Sequence, residues 1–373
     1  MATSEARTRQ RAGMSGRELA MLAAAGAVTA LAGALHFAGA PPVAAFLAAT
    51  GALAGMAWVV SFATEQVGER FGPAVTGVMQ STLGNLPEFF VVIFALSAGE
   101  VVVARFSLIG SIFANALLVL GLAIVLGARE ARDGVMRFAA RLPRDTATLM
   151  LIAVFVIALM GLSLSSGDRA SRHTEAISAI GAIVLLAVYL SWVVPYVRGE
   201  GEGEGGGEAG GGPGGAAGGE PRIPLVVGIV LLGAGGLASA FVSEWFIDAL
   251  NPAIASLGLS KQFAGLVVVA IAGNAVENVT ALVLATKGQS DLAISVVKNS
   301  VAQIAAFLFP ALVLVSLLFA TPLTFALAPI YIGALALTAI VVWQITGDGE
   351  ATAFEGWALV GVYVILAAFT LYE

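Results

Sequence analysis

The chain has 373 residues, 59% of them hydrophobic and 11% charged, against roughly a quarter charged in a soluble domain. That balance excludes a soluble globular protein and a nucleic-acid binder, and the net charge of −6 says little about partners because five of the acids lie in one glycine-rich stretch. With no cysteine, disulfides, thiolate nucleophiles and zinc–thiolate sites are excluded too.

The first apolar run follows Arg7, Arg9, Arg11 and Arg17, as in a secretory signal. It has no small-x-small cleavage site before Pro41-Pro42 and is therefore expected to be a retained helix. Apolar runs long enough to cross a hydrocarbon core of ~30 Å then recur to the C-terminus. Eleven spans are predicted, at 18–39, 42–66, 73–98, 101–127, 146–166, 175–197, 223–250, 261–286, 291–319, 323–345 and 355–371. The fold class is an all-α polytopic membrane protein, with lipid as its surroundings. The sequence leaves a homo-oligomer open.

Charge sets the orientation. If the N-terminus is cytoplasmic, thirteen Lys/Arg fall on that side: Arg7, Arg9, Arg11, Arg17, Arg70, Arg129, Arg132, Arg137, Arg141, Arg144, Arg198, Arg222 and Lys287. Four fall opposite, at Arg105, Arg169, Arg172 and Lys261. This positive-inside bias places the C-terminus outside, in what is expected to be a prokaryotic plasma (inner) membrane. Between spans six and seven, residues 199–222 read "GEGEGEGGGEAGGGPGGAAGGEPR", a flexible coil by composition. The expected organisation is an N-terminal segment with an extra helix (1–40), a first five-helix repeat (41–198), the linker (199–222) and a second five-helix repeat (223–373).

The third and eighth spans each carry a glutamate at mid-membrane. A charged carboxylate there costs roughly 2.5–3.5 kcal/mol on insertion scales, so it normally faces a protein interior and has a function. Placing Gly84 on Gly273, an offset of 189, aligns "GNLPE" with "GNAVE"; the same offset matches Gly99 with Gly288, Ala104 with Ala293 and Ser111 with Ser300. Five spans separate the two copies, so the second enters the membrane upside down. Inverted repeats with a site near the midplane are the plan of secondary transporters. Gly and Asn before each acid weaken the helix and free backbone carbonyls, and Pro87 removes one more amide donor beside Glu88. Carbonyl oxygens beside Glu88 and Glu277 suit a hard cation. Asn85, Asn274, Ser111, Asn115, Ser300 and Gln303 are neutral donors that complete a calcium shell of about six to eight oxygens. Glu65 and Glu244, with Glu69 and Asp248 as companions, are candidates for a gate or vestibule.

Residues 84–122, "GNLPEFFVVIFALSAGEVVVARFSLIGSIFANALLVLGL", resemble the first signature of the CAX branch of the calcium/cation antiporter superfamily. Residues 273–305, "GNAVENVTALVLATKGQSDLAISVVKNSVAQIA", resemble the second. "ATE" ending at Glu65 and "SEW" at 243–245 are similar to further family positions. The resemblance implies eleven helices, the last ten as two inverted sets of five. It also implies cation export coupled to proton entry, with Glu88 and Glu277 as ligands shared by cation and proton.

The chain departs from that pattern in several places. Pro87 stands where the family has Thr, and Asn278 where it has His, the side chain that titrates nearest neutral pH. Asn299-Ser300-Val301-Ala302-Gln303 replaces Gly-Ser-Ser-Thr-Gln, and the motif helix is expected to distort at Asn299. Lys298 replaces an apolar residue about 10 Å into the ninth span. It either snorkels to the interface or, with Asn278, modulates the site by pairing with Glu277. The expected function is exchange of cytoplasmic Ca²⁺ for external protons by alternating access, with no cofactor beyond the transported ions. A Na⁺ or K⁺/proton antiporter is the alternative, and a channel ranks below both. The two histidines, His36 and His173, lie at helix ends without a nucleophile–base pair, so no enzyme is expected.

Overall fold

The computed structural model describes residues 13–71, 79, 83–139, 141–197 and 222–373, apart from the side chains of 141–145 and 195–197. Arg7, Arg9, Arg11, most of the N-terminal half of the third predicted span and the linker up to 221 lie outside the described residues.

Among the described residues, nine helices are long and apolar enough to cross a membrane. They are α1 (Gly16–Phe37), α2 (Pro42–Gly68), α4 (Val101–Glu130), α5 (Arg141–Ser166), α6 (Thr174–Val197), α7 (Leu225–Leu257), α10 (Ser290–Ser316), α11 (Pro329–Thr346) and α12 (Ala353–Leu371). The protein is an integral membrane protein built of helices. Its exceptions fall on the two spans that carry the motifs. In place of one straight eighth helix stand α8 (Lys261–Gly273) and α9 (Ala275–Thr286), bent by 63°. Of the third span, the described helix is α3, Leu86–Ser97. Two boundaries also differ from expectation. α7 continues through Pro252 to Leu257. α11 starts only at Pro329, because proline fits a helix's first turn and biases the residue before it away from helix.

The sequence repeat is also a repeat of backbone structure. α3 shifted by 189 runs from 275 to 286, the bounds of α9, and the first residue of α4 shifted likewise is Ser290, where α10 begins. Gly99 and Gly288 both turn the chain at positive φ, 76° and 69°. A π turn interrupts α4 at Ala114–Val119, and another interrupts α10 at Ile304–Leu308. The distortion expected at Asn299 therefore lies five residues later, and Asn299 itself sits in regular helix.

Packing puts these elements at the centre. Only glycine allows α4 and α8 to cross as they do: a Cβ on Gly110 would lie 2.5 Å from the Leu266 backbone, and one on Gly265 3.0 Å from the Val103 carbonyl oxygen. α4 and α12 meet through a reciprocal pair, Gly121 and Gly356, whose added Cβ atoms would lie 2.5 and 2.6 Å from each other's carbonyl oxygens. α2 lies along α7, and α1 packs on α2.

Contacts sort the helix ends onto two rims. On the first, Arg222 pairs with Glu18 at 2.6 Å, Arg70 donates to the Ile223 carbonyl at 2.6 Å, and the Ala139 amide donates to Asp291 at 2.6 Å. There β1 (Val135–Arg137) also pairs antiparallel with β2 (Glu350–Thr352). On the second rim, Lys261 pairs with Glu100 at 2.6 Å, His36 lies 4.0 Å from Asp248, Ser260 donates to the Thr370 carbonyl at 2.5 Å, and Tyr331 bonds Glu373. The start of α1 belongs to the first rim and the C-terminus to the second.

Candidate cation site

Each motif asparagine breaks its helix. Asn85 (φ −86°, ψ 8°) precedes α3, and Asn274 (φ −106°, ψ 19°) precedes α9; neither side chain caps the helix that follows. Glu88 and Glu277 thus both fall in the first turn of a half-helix, whose N-terminal dipole favours negative charge. The two motifs meet at Glu88. A Cβ on Gly273 would touch Glu88 Cβ at 3.6 Å, and Glu277 lies within electrostatic reach.

Main-chain carbonyls fix the polar side chains here. Asn274 Nδ2 donates to the Ala270 carbonyl at 3.0 Å and to Ser111 Oγ at 2.9 Å. Turning the amide over would set its oxygen against a carbonyl that can only accept, so Oδ1 must face the other way. Asn115 Nδ2 is fixed in the same manner by the Ser111 carbonyl at 3.0 Å. Ser111 Oγ then donates its proton to Glu88 Oε1 at 2.5 Å. Glu88 Oε2, Asn274 Oδ1 and Asn115 Oδ1 remain buried without a hydrogen-bond partner, as do Ser300 Oγ and Asn278 Oδ1.

Buried acceptors left unsatisfied are costly, and a cluster made mainly of oxygens that can only accept is matched by a cation or a proton. Glu88, Asn85, Ser111, Asn115, Asn274, Asn278, Ser300 and Gln303 are all buried, and Glu277 is half-buried. Among the described residues no three His, Cys, Asp or Glu side chains converge. A cation held here would therefore take the two carboxylates and complete its shell with neutral oxygens, main-chain carbonyls or water.

Comparison with known proteins gives the family and the fold. Residues 41–195 and 227–372 match the family described as sodium/calcium exchanger protein. The chain belongs to that family. A Ca²⁺/H⁺ antiporter of Synechocystis is 32% identical over 347 residues, covering 90% of this chain and 92% of the relative. One from Aphanothece halophytica is 29% identical over 87% of this chain and 89% of the relative. The fold is shared with the solved structure of YfkE (TM-score 0.76, 24% identity, 95% of this chain and 99% of that one) and with that of an H⁺/Ca²⁺ exchanger, CAX (TM-score 0.69, 17% identity, 96% and 93%). The resemblance to the CAX branch is thereby borne out.

In this exchanger, the other singled-out residues lie apart from the buried cluster. Glu65 is half-buried near the first-rim end of α2, where the charges of Glu69, Arg222 and Glu18 act on it. Glu244 is exposed on α7, one turn before Asp248 and the second rim. Lys298 corrects an expectation. Its ammonium is buried and donates to Thr346 Oγ1 at 3.1 Å, and among the described residues it forms no ion pair with Glu277. The Thr346 hydroxyl in turn bonds the Val342 carbonyl at 2.7 Å. The physical reason is direction: a helical side chain leans toward its helix's N-terminus, here the rim where α11 ends. Methionine would remove a buried ammonium, costly to desolvate, while the Thr346 hydroxyl keeps its bond to the Val342 carbonyl. Lys298→Met is therefore expected to leave ion preference unchanged and the thermal midpoint of the purified protein equal or higher, measured by cation competition and thermal melting.

Sequence reasoning missed several buried hydroxyls without hydrogen-bond partners, Ser107 and Thr64 among them. Ser107 carried a usable signal, since it lies one turn before Ser111 on the same helix face.

Proposed function

We propose that this exchanger moves Ca²⁺ out of the cytoplasm against entering protons, using one site shared by Glu88 and Glu277. The observation that carries the reading is the cluster of fixed, partnerless acceptor oxygens around Glu88, assembled from both motifs. Two carboxylates neutralise one divalent ion or take up protons in its place, and burial makes the empty charged state costly. Neither ion can then leave without the other arriving, which couples the two flows.

The matching bounds of α3–α4 and α9–α10 support two repeats, and the odd offset of five spans between the third and the eighth supports their inversion. Alternating access follows if the repeats rock about the fixed site. The cytoplasmic face is assigned to the first rim, where Arg70, Arg137 and Arg222 gather, by the positive-inside rule. Calcium is preferred over a monovalent ion because Lys298 bonds Thr346 and leaves the two-carboxylate charge uncancelled. The names of the relatives support the same ion pair.

Purified protein in proteoliposomes, given a pH gradient and then Ca²⁺, Mn²⁺, Na⁺ or K⁺ in turn, tests this. Ca²⁺ is expected to dissipate the gradient at the lowest concentration. Dissipation by Na⁺ or K⁺ but not by Ca²⁺ would overturn the calcium assignment and keep the antiport.

A further inference from the structure

One carboxylate at the second rim gathers both ends of the connection between α7 and α8. Glu100, in the turn from α3 to α4, accepts from Asn251 Nδ2 at 2.7 Å and from Lys261 Nζ at 2.6 and 2.9 Å. Its side chain is only 12% exposed. Pro252, next in α7, has no amide to give the Asp248 carbonyl, so the helix's own ladder is weakened where Glu100 grips it. α7 packs along α3. A Cβ on Gly236 would lie 3.7 Å from Leu86 at the motif end of α3, and Asn251 meets Glu100 at the rim. The contact with Glu100 thus closes the rim end of the seam between α3 and α7.

The other repeat cannot rebuild this cluster. α2 shifted by 189 ends at 257, where α7 ends, so Asn251 corresponds to Phe62, Lys261 to Gly72 and Glu100 to Gln289. Neither Phe62 nor Gly72 has a side-chain donor, and Gln289 carries no charge. The rim contacts described above differ in the same sense. On the first rim they join α1, α2 and the start of α7 to one another, or the α4–α5 loop to α10 and β2. On the second, Asn251 ties α7 to the turn between α3 and α4.

We propose that Glu100, Asn251 and Lys261 form a latch that shuts the α3–α7 seam on the external side and biases the exchanger toward its cytoplasm-facing form. The inference rests on the shared-site reading and the assignment of the rims above, and it adds residues that never touch the ion. Burial opposes the charge on Glu100, but the bonds from Lys261 and Asn251 outweigh it and hold its carboxyl below the usual carboxylate range. Protons arriving outside at neutral pH therefore leave the latch made, and it opens by movement of α7. Each side's apparent affinity is scaled by the fraction of protein facing that side. The KM for Ca²⁺ presented outside, divided by the KM for Ca²⁺ presented on the cytoplasmic side, therefore reads the latch directly.

Radioactive Ca²⁺ uptake into right-side-out and inside-out vesicles gives this ratio. Glu100→Gln and Lys261→Met are each expected to lower it by about tenfold, the value of a hydrogen bond to a charged group. Exchanging the pair, Glu100→Lys with Lys261→Glu, is expected to restore it, because the Asn251 amide can turn its oxygen toward a lysine. An unchanged ratio beside a lowered thermal midpoint would make the cluster a structural brace and overturn the proposal. A raised ratio would overturn it together with the assignment of the rims. The chain has no cysteine, so Glu100→Cys with Asn251→Cys can be bridged by a short bis-methanethiosulfonate without background. Bridging is expected to stop uptake until a reductant is added, and uptake that continues through bridged protein would show that the latch need not open. If the wild-type protein moves no Ca²⁺, the calcium reading fails by itself, and the same ratio is read with Mn²⁺, Na⁺ or K⁺, whichever dissipates the pH gradient.

Discussion

Glu88→Gln is expected to abolish exchange while the purified protein still folds. The amide keeps the shape of the carboxylate and still accepts from Ser111 through its oxygen, so packing around α3 is preserved. What it loses is the charge at Oε2, the buried atom without a partner. Removing one member of a buried charge pair costs about 3–5 kcal/mol, and each 1.4 kcal/mol is about tenfold in affinity. Cation binding should fall by at least about a hundredfold, and proton uptake at this residue should disappear. Glu277→Gln is expected to behave alike, because either flow needs both carboxylates. The check is Ca²⁺-driven dissipation of a pH gradient, alongside size-exclusion behaviour to confirm folding. Substantial proton-coupled exchange by either variant would sink the shared-site mechanism.

The second large effect is expected from a single methyl group. In Gly110→Ala the added carbon would sit 2.5 Å from both Cα and the carbonyl oxygen of Leu266, and neither atom can rotate away. α4 and α8 must then separate, which moves Ser111 on one against Ala270 and Asn274 on the other. Overpacking of a tight interior typically costs about 1–3 kcal/mol, and here the strain falls on the hydrogen bonds that orient the site. Gly110→Ala should lower the thermal midpoint and cut transport severely. Gly333→Ala in α11, where an added Cβ meets nothing within 4 Å, should be close to neutral. Equal behaviour of the two variants in thermal melting and uptake would show that the α4–α8 crossing is not tight.

Much of this was legible in the chain. Spans were readable because lipid admits only long apolar helices, and nine of the eleven predicted runs carry them among the described residues. Glu88 and Glu277 stood out because charge at mid-membrane is rare and costly. The 189-residue offset placed Ser111 opposite Ser300, and the structure repeats that register in its helix bounds. Breaks at Asn85 and Asn274 were readable as weakened helix, but the 63° angle between α8 and α9 was not, since a bend depends on what the two halves pack against. The linker, the helix-six exit and the start of span three remain sequence readings.

By itself, then, the sequence determined the membrane, the two motifs, their register and the acids proposed for the site, because each follows from local chemistry along one strand of chain. Only the tertiary structure decided the atoms. Which way Asn274 turns depends on the Ala270 carbonyl, and which carboxylate oxygen of Glu88 stays free depends on Ser111, a residue of another helix. Lys298 shows the same limit: its depth in the span was readable, but whether its ammonium met Glu277 or Thr346 was a matter of which helix lay beside α10. Partners across helices are set by packing, and no periodicity in the chain records them.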